Sequence, residues 1–230
     1  METKLNGSRA SEAVADLGWR FLLGSLRTAV PVGSPARAIE VAARAVAVCG
    51  DEAEGHLIID VRPRRVLLVL QSSAHAGVTT RDVDLAHQIS TALRGLGLRT
   101  EPEIATGAPR SVQLLELAID ALDIAGIRPF WKAVLGYADE AGAEGPRDPI
   151  VDPLGQGPAI WFQQMDAPRP QRNRIHLDLS LPHDEALSRI GEALAAGGRL
   201  VSEERAPAFW VLADREGNEV CVTTWQGRDG

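Results

Sequence analysis

The chain has 230 residues, 45% of them hydrophobic and 24% charged, and a formal net charge of −7. This is the composition of an ordinary globular protein, long enough for one large domain or two smaller ones. The acidic balance, without a basic patch or tail, excludes a general nucleic-acid or anionic-membrane binder.

No apolar run approaches the roughly 20 residues that cross a bilayer. Met1–Ala10 lacks the apolar centre of an export signal, and Cys49 and Cys221 make no disulfide framework. The expected compartment is therefore a reducing cytoplasm.

Residues 1–13 read as a polar, disordered tail. Trp19–Leu23 and Leu26–Val30 read as strands around a turn at Gly24-Ser25. Pro35 suits the first turn of a helix whose apolar positions are Ile39, Ala42, Ala43, Val46 and Ala47. His56–Val61 and Val66–Leu70 read as two more strands. Thr79 or Thr80 can cap a second helix with Val83, Leu85, Ala86, Ile89 and Leu93 on its apolar face, ended by Gly95 and Gly97. The first half is thus ββαββα over residues 14–97. Residues 98–111, with Pro102, Gly107 and Pro109, read as a linker.

The second half, residues 112–226, begins with a strand at Val112–Ile119 and a helix at Ile124–Leu135. A Gly/Pro-rich segment follows over 138–158, with one short strand at Ile150–Leu154, and strand 159–165 closes the first unit. The pattern then repeats: strand 174–181, helix 184–196 with Asp184 as cap, and strands near 199–203, 209–213 and 219–224. The fold class is α+β, the second half being two βαβββ units in tandem.

Gly77-Val78-Thr79-Thr80-Arg81-Asp82-Val83-Asp84-Leu85-Ala86 resembles the pterin-4a-carbinolamine dehydratase family, whose motif runs through a glycine pair to Leu-Thr-x-x-Asp-x-x-Leu-Ala. The resemblance extends over roughly residues 14–97. It implies proton transfer by a His-His-Pro triplet and one later histidine. Aligned on Val66 and Thr79, the triplet falls on Gly55, His56 and Leu57, and the later histidine on Ser73. His56 alone remains, with His75 two residues beyond Ser73. Glycine and serine cannot titrate near neutral pH. The expectation is a degenerate domain, kept as a scaffold or oligomerisation unit, that dehydrates no faster than the spontaneous rate.

Phe130-Trp131-Lys132-Ala133-Val134-Leu135-Gly136-Tyr137, Asn173-Arg174-Ile175-His176-Leu177-Asp178 and Asp214-Arg215-Glu216-Gly217-Asn218-Glu219-Val220-Cys221 resemble, in that order, the glyoxalase-like branch of the vicinal oxygen chelate superfamily. Metal-dependent members hold a divalent ion on the first and last strands of each unit. Carried over, those positions are Glu116, Gln163 or Gln164, His176 and Cys221, and a cysteine there favours zinc. A metal-free cleft for an organic ligand is the plainer reading.

Strand alternation puts Glu116, His176, Asp178 and Cys221 on mixed faces opposite the apolar ones. Trp161, Phe162, Phe209 and Trp210 are large enough to stack on a ligand ring. Asp214-x-x-Gly217-Asn218 reads as a turn. There is no dinucleotide glycine motif, phosphate loop, nucleophile elbow or His-Glu-x-x-His pattern.

Three functions stay open. The first is a small-molecule binding protein or lyase whose cleft lies in the second half, lined by Glu116, Trp161, Gln163, His176, Asp178, Trp210 and Cys221. The second is an active 4a-hydroxytetrahydrobiopterin dehydratase with an altered histidine set around His56. The third is a non-catalytic scaffold. Glu116 and His176 are expected in one pocket, larger than any around His56. The expected partners are a small molecule and further copies of the chain, with no nucleic acid and no membrane.

Overall fold

The computed structural model describes residues 2–104, 110–169 and 175–227. Residues 105–109 of the expected linker, and 170–174, which include the start of the expected strand 174–181, lie outside the described residues. The chain divides into two compact units, the first ending at Leu114 and the second starting at Leu115.

The expected disordered tail is in fact structured. Helix α1 spans Gly7–Val14, and the Asn6 side chain caps it by accepting from the Arg9 amide at 2.9 Å. Ala10 and Val14, one turn apart, are fully buried. Ahead of the helix, Thr3–Leu5 pairs with Val78–Thr80: the Leu5 amide donates to the Val78 carbonyl at 2.8 Å and the Thr80 amide to the Thr3 carbonyl at 2.9 Å. The polar composition hid this because the stabilising partners are more than 70 residues away.

Strands β1 (Arg20–Leu22) and β2 (Ser25–Pro31) form a hairpin. Its turn holds Leu23 at φ 44° and Gly24 at φ 74°, and the second position is one that glycine occupies without strain. Helix α2 spans Pro35–Cys49 behind a Ser34 cap, and the short helix α3 spans Ala53–His56. His56 therefore ends a helical turn rather than starting the next strand. Strands β3 (Leu57–Arg62) and β4 (Arg65–Leu70) follow, then α4 (Thr80–Arg94).

The sheet order is β1-β2-β4-β3, antiparallel throughout. One sheet face packs Leu26, Val30, Val66, Leu68 and Leu70 against Val41 of α2 and Leu85, Ile89 and Leu93 of α4. Trp19 is fully buried there, its indole N–H donating to the Ser90 hydroxyl at 2.9 Å. The short strands β5 (Glu103–Ile104) and β6 (Arg110–Ser111) pair within the stretch expected to be linker.

The second unit contains two βαβββ modules. The first comprises β7 (Glu116–Ala121), α5 (Ile124–Leu135), β8 (Ala138–Asp139), β9 (Ile150–Val151) and β10 (Ala159–Gln164). The second comprises β11 (Asp178–Ser180), α6 (Ala186–Ala195), β12 (Arg199–Ser202), β13 (Phe209–Ala213) and β14 (Glu219–Thr223). The sheet orders are β7-β10-β9-β8 and β11-β14-β13-β12. In both, the first strand pairs in parallel with the last and the remaining pairs are antiparallel, so the modules repeat one topology.

Glu185 rather than Asp184 occupies the N-cap of α6, without a side-chain capping bond. One core joins the modules, with Ile119, Ile127, Phe130 and Trp131 from the first and Ile190, Trp210, Leu212 and Val222 from the second.

Candidate functional site

In the second unit the alternation expected from sequence holds. Ile119, Ala121, Ile160 and Phe162 face the helices. Glu116, Ala118 and Asp120 of β7 stand in register with Ala159, Trp161 and Gln163 of β10 on the opposite, open face. Trp161 is 37% exposed, and Glu116 and Gln163 are exposed beside it. In the second sheet, Asp178 and Ser180 are in register with Cys221 and Thr223, and the Ser180 and Thr223 hydroxyls are 3.0 Å apart.

Two expectations fail here. Trp210 lies on the helix-facing side, 8% exposed within the core, because its register partner is the core residue Val222. Phe162 is likewise core. His176 and Cys221 line a cavity of only ≈ 10 Å³ with Ile175, Leu177, Glu219 and Val220, and Glu116 is not part of it. Glu116 starts a strand of one sheet, whereas His176 precedes the first strand of the other.

The ligand atoms of Glu116, His176 and Cys221 do not come within 4.8 Å of one another. As placed, this donor set does not fit the divalent ion, zinc included, that the resemblance implied. A cavity of ≈ 490 Å³ lies in the first unit instead, lined by Asp16, Ser90, Arg94, Arg99 and Thr100 among others, away from His56.

The titratable groups that do converge lie at the N-terminus of α4. Thr79 caps this helix, and Asp82, three residues on, completes a capping box. Asp82 is fully buried. Its Oδ2 accepts from the Thr79 amide and hydroxyl, each at 2.7 Å, while its Oδ1 lies 2.8 Å from His56 Nδ1. Asp82 engages Nδ1 of His56, and Nε2 is the ring nitrogen turned to other partners.

On that side stands Glu2. Its Oε1 is 3.8 Å from His56 Nε2 and also 3.8 Å from His75 Nδ1. His75 Nδ1 is in turn 3.0 Å from the Ser72 hydroxyl. Hydrogen bonding by the Thr79 side chain holds the Glu2 carboxyl below its ordinary range; burial opposes this, and the Ser72 hydroxyl and the two imidazoles reinforce it.

Glu2, His56 and Asp82 have ligand atoms within 4.8 Å of one another. Both Asp82 oxygens are engaged, one by His56 and the other by the Thr79 amide and hydroxyl. The arrangement is an acid–base cluster in which Asp82 is hydrogen-bonded to His56 and Glu2 stands 3.8 Å from each imidazole.

From sequence, His56 and His75 stand out as histidines near the family positions, Asp82 only as part of a motif and Glu2 not at all. The Ser/Thr-x-x-Asp capping pattern was the available signal for Asp82. No local signal exists for a segment that pairs with residues more than 70 positions away.

Residues 116–223 match the glyoxalase-like domain family. Over 90 residues the chain is 33% identical to a putative pterin-4-alpha-carbinolamine dehydratase of Mycolicibacterium smegmatis, an alignment covering 39% of this chain and 95% of that protein. Among solved structures it is similar to a transcriptional coactivator/pterin dehydratase from Brucella melitensis, at 20% identity and TM-score 0.36, covering 39% of this chain and 98% of that one. It is also similar to a glyoxalase/bleomycin resistance protein/dioxygenase family enzyme from Burkholderia phytofirmans PsJN, at 17% identity and TM-score 0.40, covering 49% and 98%.

Topology and sequence together define a two-unit α+β protein, dehydratase-like in its first unit and glyoxalase-like in its second. The chain belongs to the pterin-4-alpha-carbinolamine dehydratase family.

Proposed function

We propose that the protein is a small-molecule lyase of the carbinolamine dehydratase type, with His56 of the first unit as its acid–base group. The observation that carries this reading is the 2.8 Å contact between His56 Nδ1 and the buried Asp82 carboxylate. Dehydrating a carbinolamine breaks a C–O bond and forms C=N. The leaving hydroxyl needs a proton and the neighbouring nitrogen must lose one. An imidazole held at Nδ1 by a buried carboxylate can perform one of these transfers at Nε2. Gly55 and Ser73, at two further family positions, can perform neither.

The test is turnover of a 4a-hydroxytetrahydropterin by the purified full chain. Against the degenerate domain expected from Gly55 and Ser73, we expect a rate well above the spontaneous one, lost in His56→Ala. A wild-type rate equal to the spontaneous background overturns the reading.

A second reading applies to the glyoxalase-like unit, as a binding platform for an organic small molecule. The observation behind it is the half-exposed Trp161 indole on a sheet face between Glu116 and Gln163, with Asp178 on the corresponding face of the second sheet. An aromatic ring among polar groups suits ring stacking with polar orientation. Tryptophan fluorescence would report it: a ligand should quench the wild type and leave Trp161→Phe unchanged, and equal quenching in both would count against it.

A further inference from the structure

The dehydratase-type reading leaves a chemical gap, since elimination of water needs two proton-transfer groups and the family positions 55 and 73 hold glycine and serine. The segment before α1 carries a candidate to fill it. Thr3–Leu5 adds to the Val78–Thr80 segment through two backbone hydrogen bonds of 2.8 and 2.9 Å, and the Thr3 amide donates to the Thr80 hydroxyl at 3.3 Å. The Lys4 ammonium donates to the His75 carbonyl at 2.7 Å, tying the segment to the turn that carries the second histidine. These contacts fix the backbone on both sides of residue 3 and direct the Glu2 side chain toward His56 and His75. A single carboxylate oxygen then stands 3.8 Å from a nitrogen of each ring.

We propose that Glu2 is the second catalytic group of this site, a general base delivered by the N-terminal segment in place of the missing histidines. The proposal rests on the dehydratase-type reading and deepens it. In the step, the Glu2 carboxylate takes the N–H proton of the carbinolamine, and that electron pair forms the C=N bond. The C–O bond breaks as the hydroxyl receives a proton from the imidazolium form of His56 at Nε2 and leaves as water. The proton on Glu2 returns to His56 through solvent, so the cycle needs no other reactant. The residue remains exposed, so a substrate can reach the space between it and the two rings.

The experiment compares wild type, Glu2→Gln and Glu2→Ala as full chains in the same dehydration assay, with added formate for the last. We expect Glu2→Gln to lose roughly 10²-fold in kcat with little change in KM, the usual scale for removing one general base. Glu2→Ala should lose as much and recover part of the rate as formate is raised, with saturation. A purely structural role for Glu2 would give no formate rescue. An active wild type with Glu2→Gln at the same rate, or Glu2→Ala without rescue, overturns the role of Glu2 alone. A wild type at the spontaneous rate overturns the dehydratase-type reading and the role of Glu2 with it. The two failures are therefore distinguishable.

Discussion

The indole nitrogen of Trp131 donates to Asp214 Oδ2 at 2.9 Å, and this buried bond joins the two βαβββ modules of the second unit. Trp131 lies on the helix of the first module and Asp214 in the β13–β14 turn of the second. The same carboxylate holds that turn: Oδ1 accepts from the Glu216 and Asn218 amides, each at 2.9 Å, and Oδ2 also accepts from the Asn218 side chain at 2.9 Å. Gly217, at φ 92°, supplies the left-handed position the turn requires. Glu216 then reaches back to the Leu122 and Asp123 amides that precede α5.

Asp214→Ala would strand the Trp131 N–H in a dry core and release the turn. The expected loss is about 3 kcal/mol, the upper end for a buried group left without its partner. Urea unfolding followed by Trp fluorescence measures it. A midpoint within error of wild type would mean that the core accepts an unpaired indole N–H here.

The sequence made much of this architecture legible, and the reasons are local. Helix α5 begins and ends where its apolar spacing indicated, and the β13–β14 turn lies where Asp214-x-x-Gly217-Asn218 pointed. What escaped was set at long range. Helix α1 offers only Ala10 and Val14 as apolar anchors, too few to show a period in eight residues. Residues 3–5 have no strand signature until Val78–Thr80 is present to pair with them. In the second unit, alternation sorts faces correctly along β7 and β10, whereas ring size alone made Trp210 a ligand candidate and its pairing with Val222 puts it in the core. Nor does alternation give the distance between two sheets, so Glu116 and His176 seemed closer in purpose than they stand.

Cys49 lies at the end of α2, only 4% exposed, and burial raises its thiol to about 11, with Glu52 adding to the rise and Arg81 opposing it. The thiolate is the reactive form, and at pH 8 almost none is present. Native protein treated with iodoacetamide at pH 8 should leave Cys49 unmodified, while the same protein in urea should be labelled there, as read by peptide mass spectrometry. Labelling of native Cys49 at the rate of a free thiol would contradict the burial.

Arg128 is 7% exposed and donates to Asp139 Oδ1 at 2.5 Å and to the Asp148 carbonyl at 2.8 Å. Hydrogen bonds from Lys132 and then Arg128 hold the Asp139 carboxyl below its ordinary range, outweighing partial burial. The folded value thus lies below the unfolded one, about 3.9. The stabilisation is complete above that pH and is lost as pH falls through the folded value. Asp139→Asn should lower the urea midpoint by a constant amount above pH 6, a gap that narrows toward pH 3. A gap independent of pH would show that the charge on Asp139 contributes nothing.

Strand β3 closes one edge of the first unit's sheet with no strand beyond it among the described residues. On the face turned away from the helices, Ile58 is 60% exposed, in register with Val69 of β4; Val61 on the same strand is 41% exposed. An unpaired edge that carries large apolar side chains is a template for a second strand, and natural proteins cover such edges or blunt them with charge. Arg62 at the strand's far end forms an ion pair with Asp60, leaving the apolar stretch around Ile58 without a charged guard of its own. We therefore expect the protein to associate with further copies of itself through β3. Light scattering should give a mass above that of one 24.6 kDa chain at micromolar concentration. Ile58→Lys should shift it toward the single-chain mass while leaving helix content unchanged by circular dichroism. A wild-type mass equal to one chain at every concentration would rule out the association, and an unaltered oligomer in Ile58→Lys would move the interface away from this edge.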